Sequence, residues 1–386
     1  MKRQKKLILV ITLDKAFLSH RKEIAIEAQK QGWDVTVVVH YTGNQNKIQE
    51  LGLKTIDMPL NRAGKNPFEE MQTYKFLKKL YKKEKPDVVH HVGVKLMLWG
   101  SLAAKRTNVP CIVNAIAGCG AMFTPDRLNS TVTKLIILGL HKARSNHSTY
   151  IVQNNDDKKL FIDKGIMNDN QTVLIKGSGV DTKRFAYREE SEIASKKIRF
   201  AYSGRMLEEK GVMVVIQAAE QLKAKYADKI QFIFCGWIED NPSALTEDQI
   251  NAHMDGDYMT WLGFCPHVEN ELRTCHALVY PSFYMEGLPK AVLDAESCGL
   301  PVITTDWVGC RDAVKDGYNG FIVPPHDVQA VVEKIEFFIN NPQKRQEMSK
   351  NSRELVEKNF DVKLVVKQHL QIYDSMYTKF VQSKKL

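Results

Sequence analysis

Glu286 and Gly287 stand directly before a segment that the sequence bounds as a short helix, and chemistry can begin from that placement. Pro289 sits where a helix can start without losing a hydrogen bond, and Gly299 sits where one can stop. Ala291 to Cys298 is then a helix of about two turns. First-turn N–H groups attract anions, and a nearby glycine lets a ligand approach the backbone. Pro281 to Asp312 therefore reads as a site for a phosphorylated ligand whose hydroxyls meet the Glu286 carboxylate. A second element carries two cations five residues apart, Arg205 and Lys210. Such a pair can hold a diphosphate, arginine as a planar fork and lysine as a point charge. The bland alternative is two ordinary surface charges, since the chain has 55 lysines and arginines. The loop 261–268, with Phe264 and Val268, offers an apolar floor for a flat base.

The elements that must position these residues alternate between β-branched runs and helical stretches. Lys6–Leu13 reads as a strand, Ser19–Gln31 as a helix stopped by Gly32, and Asp34–His40 as a second strand. The loop Asp14–His20 then lies at the carboxyl end of the first strand, the edge where open parallel sheets bind ligands. It lacks a GxGxxG dinucleotide fingerprint, and Ser19, His20 and Arg21 are its polar candidates. His90 and His91 alternate faces at the end of the strand Asp87–Val92, which makes one of them, His91, a candidate for the same edge. The turn Ala117-Gly118-Cys119-Gly120 could present N–H groups to an anion, with Gly118 central to it. Thr131–His141 reads as a core helix with solvated basic ends; the sharper alternative sets those ends near anionic lipid headgroups.

The charged stretch 187–197 reads as a linker, after which the alternation restarts. This gives a first Rossmann-like domain at 1–186, a second at 198–361 and a helical tail at 362–386 that can return to the first. The net charge of +10 asks for an anionic partner. The basic residues are dispersed and no nucleic-acid module is recognisable, which ranks nucleic acid last among such partners. Seven scattered cysteines form no CxxC pair, so neither a zinc site nor a disulfide framework is expected, and a reducing compartment fits. The basic start and short apolar run Leu7–Leu13 end at Asp14 without a small-residue cleavage site, which favours a buried strand over a signal peptide. No run approaches the about 18 apolar residues of a membrane span, so any membrane contact is expected to be peripheral.

Taken together, these motifs resemble the retaining glycosyltransferases of family 4. The resemblance is carried by Ser203-Gly204-Arg205 with Lys210-Gly211, by Glu286-Gly287-Leu288-Pro289, and by Ser297-Cys298-Gly299-Leu300-Pro301-Val302. Phe17-Leu18-Ser19-His20-Arg21, Asn114-Ala115-Ile116-Ala117-Gly118 and Gly177-Ser178-Gly179-Val180-Asp181 are similar to a branch acting on undecaprenyl-diphosphate-linked glycans. The resemblance implies an α/β protein of the GT-B fold: two Rossmann-like domains facing across a cleft, acceptor in the first and nucleotide-sugar in the second. It also implies that the C-terminal helix crosses back to the first domain.

By the same resemblance Arg205 and Lys210 bind the donor diphosphate and stabilise the leaving nucleotide, and Glu286 fixes the donor sugar. Gly204, Gly287, Leu288 and Pro289 belong to the donor site, with Phe264 and Val268 under the base. The family's second carboxylate, which holds the ribose and is usually a glutamate, falls on Asp294, whose shorter side chain withdraws it by about 1.5 Å. Glu296 is no simple substitute, because two helical positions rotate it by about 200°. A histidine common in the family is Ala115 here, which leaves His20, His90 and His91 as cleft histidines and no general base. Front-face transfer, with the donor phosphate taking the acceptor proton, needs positioning and charge stabilisation more than a protein nucleophile.

The implied activity is transfer of a hexose or N-acetylhexosamine from a nucleoside-diphosphate sugar, a UDP-sugar for preference, to a lipid-linked saccharide of capsule, O-antigen or another surface glycan. No cofactor or metal is expected, and no DxD motif stands at a strand end where a metal would be expected. The expected location is cytoplasmic, peripheral on the anionic inner face of the cell membrane. The competing reading is a nucleotide-sugar epimerase of the same fold, which needs no lipid and turns over donor without acceptor.

Overall fold

The computed structural model describes residues 3–60, 67–119, 123–239 and 241–384. They divide into two compact units, Met1–Ser178 with Lys363–Leu386, and Gly179–Val362. In the first unit seven strands are described: β1 Lys6–Leu13, β2 Asp34–His40, β3 Lys54–Asp57, β4 Val88–Val92, β5 Cys111–Ala115, β6 Ser148–Val152 and β7 Thr172–Leu174. They form one parallel sheet in the order β3-β2-β1-β4-β5-β6-β7. The second unit holds β8 Ile198–Ser203, β9 Ile230–Cys235, β10 Met259–Trp261, β11 Ala277–Tyr280, β12 Val302–Thr305 and β13 Gly320–Val323. Its parallel order is β10-β9-β8-β11-β12-β13. Central strands such as β5, β11 and β12 are buried at every position, as largely apolar or β-branched runs covered on both faces must be.

Both strand orders reverse at one point, between β1 and β4 in the first unit and between β8 and β11 in the second. Chain leaving the carboxyl ends of those neighbours diverges, and the gap between the two loops is where a parallel sheet accepts a ligand.

Several expectations are corrected. Asp14–His20 is a helix rather than a loop, because buried Phe17 packs inward and Asp14 accepts hydrogen bonds from the backbone of Thr42 at 2.6 Å and of Asn44 at 2.9 Å. The next helix runs only over Lys22–Lys30, the chain bending at Arg21. Residues 187–197 belong to the second unit and are no free linker. Arg188 is buried and donates to the Arg273 carbonyl at 2.8 Å, and Glu190 pairs with buried Arg345 at 2.5 Å. The chain passes between units at Ser178/Gly179 and again at Val362/Lys363. The two passages lie side by side: Val180 N–H donates to the Phe360 carbonyl and Val362 N–H to the Val180 carbonyl, each at 2.9 Å.

The last helix, Val362–Ser383, packs on the first unit. Tyr373 is fully buried edge-on to Trp33, with ring centroids 6.3 Å apart, and Lys5 meets Asp374 at 2.7 Å. Tyr373 also hydrogen-bonds His90 Nδ1 at 2.6 Å, and the His90 ring stacks on His369 with centroids 5.7 Å apart.

His91 is buried as well, which removes it from the acceptor candidates. Its Nδ1 is 2.9 Å from Asn114 Oδ1 and its Nε2 2.9 Å from the Tyr81 hydroxyl, so a neutral ring donates to the amide and accepts from the phenol. Strand alternation sends His90 and His91 to opposite faces, but a parallel sheet covers both faces.

Burial lowers the pKa of all three rings: His91 to about 4, His369 to about 3, and His90 well below its usual value. Unfolded, each titrates near 6.5, so the unfolded chain binds more protons as pH falls. The stability they contribute is present above about pH 6.5 and drains as pH drops toward the folded values, by about 1.4 kcal/mol per pH unit for each ring. Buried His276, also lowered to about 4, adds to the same slope. Denaturant titrations between pH 7.5 and 5 are expected to show it, and His369→Gln is expected to remove about one quarter of the histidine share.

Candidate active site

The site is assembled at the reversal point of the second sheet, from the loops that follow β8 and β11. Leaving β8, the chain passes Gly204 and Arg205, makes a tight turn at Glu208–Lys210 and enters the helix Val212–Tyr226 through Gly211. Gly211 has φ +76°, and a Cβ there would lie 2.2 Å from the Pro281 carbonyl oxygen, so glycine is required for the two loops to touch. The loops are also stitched by hydrogen bonds: Phe283 N–H donates to the Glu209 carbonyl at 2.8 Å, and Ser282 Oγ to the same carbonyl at 3.2 Å.

Lys210, 7% exposed, thereby faces Glu286. Its ammonium forms an ion pair with Glu286 Oε1 and donates to the Tyr280 hydroxyl at 3.0 Å, while that hydroxyl donates to Glu286 Oε1 at 2.8 Å. Beside them the Arg205 guanidinium pairs with Glu239 at 2.5 Å. Arg205 lies 5.5 Å from the ring centre of Tyr284, and Lys210 lies 4.9 Å from the same ring. Burial works against the Arg205 charge, but Glu239, Tyr284 and Glu286 outweigh it and hold its pKa above the usual range. Arg205, Lys210 and Glu286 are thus brought together around the Tyr284 ring by the fold.

Their partners are what sequence reading missed. Glu239, Tyr280 and Tyr284 carry no local signal for this role, because each acquires it only through the fold. Tyr202 is a further example: its hydroxyl donates to the Arg205 carbonyl at 3.0 Å, and its ring stacks on Tyr280 with centroids 6.1 Å apart. Gly309 is the one missed residue with a legible cue, a glycine just beyond a β-branched strand. It has φ +78°, and a Cβ there would fall 2.5 Å from the Gly287 carbonyl oxygen and 2.9 Å from Glu286 Cβ. The Glu286-Gly287 backbone rests directly on it.

Beyond Glu286 the chain passes Gly287 and buried Leu288 to Pro289, which caps the helix Lys290–Ser297. Asp294 on that helix is buried and paired with Lys290 at 2.6 Å, with Arg184 close enough to act on its charge. Burial pushes its carboxyl pKa up against the pull of Lys290 and Arg184. Glu296 points elsewhere, fully buried, and accepts from Asn319 Nδ2 at 2.7 Å. If Asp294 holds the ribose, Asp294→Ala is expected to raise the donor KM about tenfold with kcat within a few-fold. An unchanged KM with a lowered melting temperature would make it a structural partner of Lys290 alone.

Phe264 is 65% exposed, four residues before Val268, which opens the helix Val268–Leu272. It meets Trp237 edge-on, with centroids 5.7 Å apart and planes at 86°. Trp237 carries no cue in the sequence for this place; it follows Gly236 at the end of β9.

In the first unit Ser19 and His20 are exposed, and His20 Nδ1 is 3.2 Å from Ser178 Oγ. Arg21 is not available beside them. It is buried, donates to the His20 carbonyl at 3.0 Å, and burial pushes its pKa down to about 10 against the nearby Tyr373. Buried there, its guanidinium holds the His20 backbone and is closed to a ligand. Gly118 is half-buried at φ +94°, and Gly120 of the same turn lies outside the described residues.

Two parallel α/β units with polar loops at the carboxyl ends of their strands are the GT-B fold. Among solved structures with this fold, Anabaena Alr3699/HepE, determined with UDP and glucose, aligns with a TM-score of 0.77 at 17% identity, covering 96% of this chain and 100% of that one. Sucrose-phosphate synthase from Thermosynechococcus elongatus aligns with a TM-score of 0.79 at 17% identity, covering 97% and 100%. Residues 183–355 match the family "Glycosyl transferases group 1", and residues 6–155 match "Glycosyl transferase 4-like".

The chain belongs to these glycosyltransferases, its first unit carrying the 4-like domain and its second the group 1 domain. It is 26% identical to the N,N'-diacetylbacillosaminyl-diphospho-undecaprenol alpha-1,3-N-acetylgalactosaminyltransferase of Campylobacter jejuni, over 93% of this chain and 96% of that protein. It is 24% identical to the UDP-Gal:alpha-D-GlcNAc-diphosphoundecaprenol alpha-1,3-galactosyltransferase of Escherichia coli, over 86% of each.

Proposed function

We propose that this glycosyltransferase moves a hexose or N-acetylhexosamine, with retention of configuration, from a UDP-sugar to a saccharide carried on undecaprenyl diphosphate. The product would be a precursor of a bacterial capsule, O-antigen or other surface glycan. The observation that carries the donor half is the cluster of Arg205, Lys210 and Glu286 around Tyr284, at the reversal point of the second sheet. A diphosphate drawn to Arg205 and Lys210 would bring the attached sugar's hydroxyls to Glu286. The base would lie by Phe264 and Val268, and the ribose by Asp294.

The acceptor hydroxyl oxygen bonds to the anomeric carbon as the carbon–oxygen bond to the diphosphate breaks, and its proton passes to a phosphate oxygen of the departing nucleotide. Arg205 and Lys210 take up the charge that develops there, so no resident metal is required.

The acceptor half draws support from the two diphosphoundecaprenol-utilising relatives and from charge. The first unit has 34 lysines and arginines against 16 acids, a net charge of +18; the second has 21 against 29, a net charge of −8. The basic excess therefore lies outside the unit proposed to bind the nucleotide, as an anionic acceptor and an anionic membrane face would favour. Among the described residues no helix is long and apolar enough to cross a membrane, which leaves peripheral attachment as the proposed mode. Nothing in the likenesses points to an epimerase.

The deciding experiment offers a panel of UDP- and GDP-sugars with and without a diphosphoundecaprenol-linked saccharide, in EDTA. One UDP-sugar is expected to be consumed in an acceptor-dependent manner, with the donor's anomeric configuration kept in the product. Donor epimerisation without acceptor, an inverted linkage, or turnover abolished by EDTA would each overturn the corresponding part.

A further inference from the structure

The helix Thr131–Ala143 is apolar on two faces, and only one of them is used. Its inner face, with Thr133, Leu140 and Ala143 buried and Ile136 and Ile137 half-buried, packs in the first unit's core beside Leu98. Gly139 lets Leu98 approach, since a Cβ there would lie 2.9 Å from Leu98 Cδ1. The outer face carries Val132, Leu135 and Leu138, which are 59%, 62% and 51% exposed. Residues three apart on a helix are neighbours, so these three form a continuous stripe. This corrects the expectation of an ordinary core helix. A helix needs apolar residues on one face to hold its place in a domain, and three more facing outward require another explanation.

The charge around the stripe identifies that explanation. Lys134 and Lys142 lie exposed on the same helix, which contains no acid. Lys105 donates to the carbonyls of Lys142 and Arg144 at 3.2 and 3.1 Å, setting a further cation at the helix end. Between Asp87 and Asp156 the chain has seven lysines and arginines and a single carboxylate, Asp126. An exposed apolar stripe within a basic surround fits the interface of an anionic bilayer, where side chains enter the acyl boundary while lysines meet headgroup phosphates. A second copy of this chain fits poorly, because it would bring the same cations together. The helix also follows β5, so it leaves the sheet edge that carries His20 and Gly118.

We propose that the face formed by Val132, Leu135 and Leu138, with Lys134 and Lys142, docks this protein on an anionic lipid bilayer. The inference depends on the proposed function only for why a bilayer would be visited.

The test is co-sedimentation of the full chain with vesicles containing phosphatidylglycerol, compared with vesicles of phosphatidylcholine alone. The wild type is expected to prefer the anionic vesicles. Val132→Gln/Leu135→Gln/Leu138→Gln is expected to weaken binding at least about tenfold, because affinity scales with apolar area inserted. Lys134→Glu/Lys142→Glu is expected to abolish the preference for anionic lipid, each lysine near the surface contributing about fivefold. Both variants should melt like the wild type and transfer sugar normally to a short, water-soluble acceptor.

Triple-variant binding equal to wild type overturns the proposal, as does a wild type indifferent to phosphatidylglycerol. A wild-type dimer that the triple variant converts to monomer, with vesicle binding unchanged, assigns the face to self-association instead. If vesicle binding responds as expected but no sugar is transferred by any form, the proposed function fails and the docking surface stands.

Discussion

Glu286→Gln is expected to lower kcat by about a hundredfold to a thousandfold, the range for removing one preorganised polar group from a transition state. The substitution keeps size and shape, and the amide oxygen can still accept from Tyr280. It withdraws the charge that Lys210 faces. Lys210 is buried, and breaking a buried ion pair from one side costs about 3–5 kcal/mol when no relaxation occurs. Activity must therefore be read alongside a melting curve: a native-like transition with lost turnover assigns the loss to chemistry. Turnover within a few-fold of wild type would remove Glu286 from the donor sugar and leave it as the counter-ion of Lys210.

Lys210→Ala is expected to be nearly as severe, with Arg205→Ala close behind, each lowering kcat/KM by about a hundredfold or more. The diagnostic is how the loss divides. Groups that meet charge building on a leaving diphosphate act more strongly at the transition state than on bound donor, so kcat should fall further than donor affinity. The reverse division, weak binding with kcat preserved, would make them simple phosphate holders. The two variants should also differ. Arg205→Ala leaves Glu239, whose side chain is 14% exposed, without its arginine at the rim of the cluster. Lys210→Ala leaves the Tyr280 and Ser282 hydroxyls on Glu286 but takes away its ammonium partner.

Much of this was legible in the sequence where the determinant is local. Pro289 and Gly299 implied a helix at Ala291–Cys298, and Lys290–Ser297 is found, because start and stop chemistry is a property of single residues. The alternation of β-branched runs with helical stretches likewise revealed two parallel α/β units. Helical geometry alone turns Glu296 away from the face of Asp294, and it meets Asn319.

What escaped depended on partners distant in the chain. Arg205 reads as a free cation, yet it is paired with Glu239, 34 residues on. Charged composition made 187–197 look like a linker, and composition cannot show that Glu190 meets Arg345 across 155 residues. The outward stripe on Thr131–Ala143 was hidden for a related reason. An apolar residue bound for the core and one bound for a surface are the same letter.

The paired passages at Val180 and Phe360–Val362 bear on how the chain is assembled. Topologically the second unit is an insertion whose two ends are zipped to each other. To the first unit, the stretch from Gly179 to Val362 then behaves as a tight turn: the last helix re-enters where the chain left. The entropy of closing so long a loop is spent in folding the insertion itself, not in docking the helix afterwards. By sequence Tyr373 and His90 are among the most distant contacts in the protein, 283 residues apart. Once the insertion has folded, the path between them is shorter by its whole length, and a pairing that looks slow by contact order becomes a nearly local one.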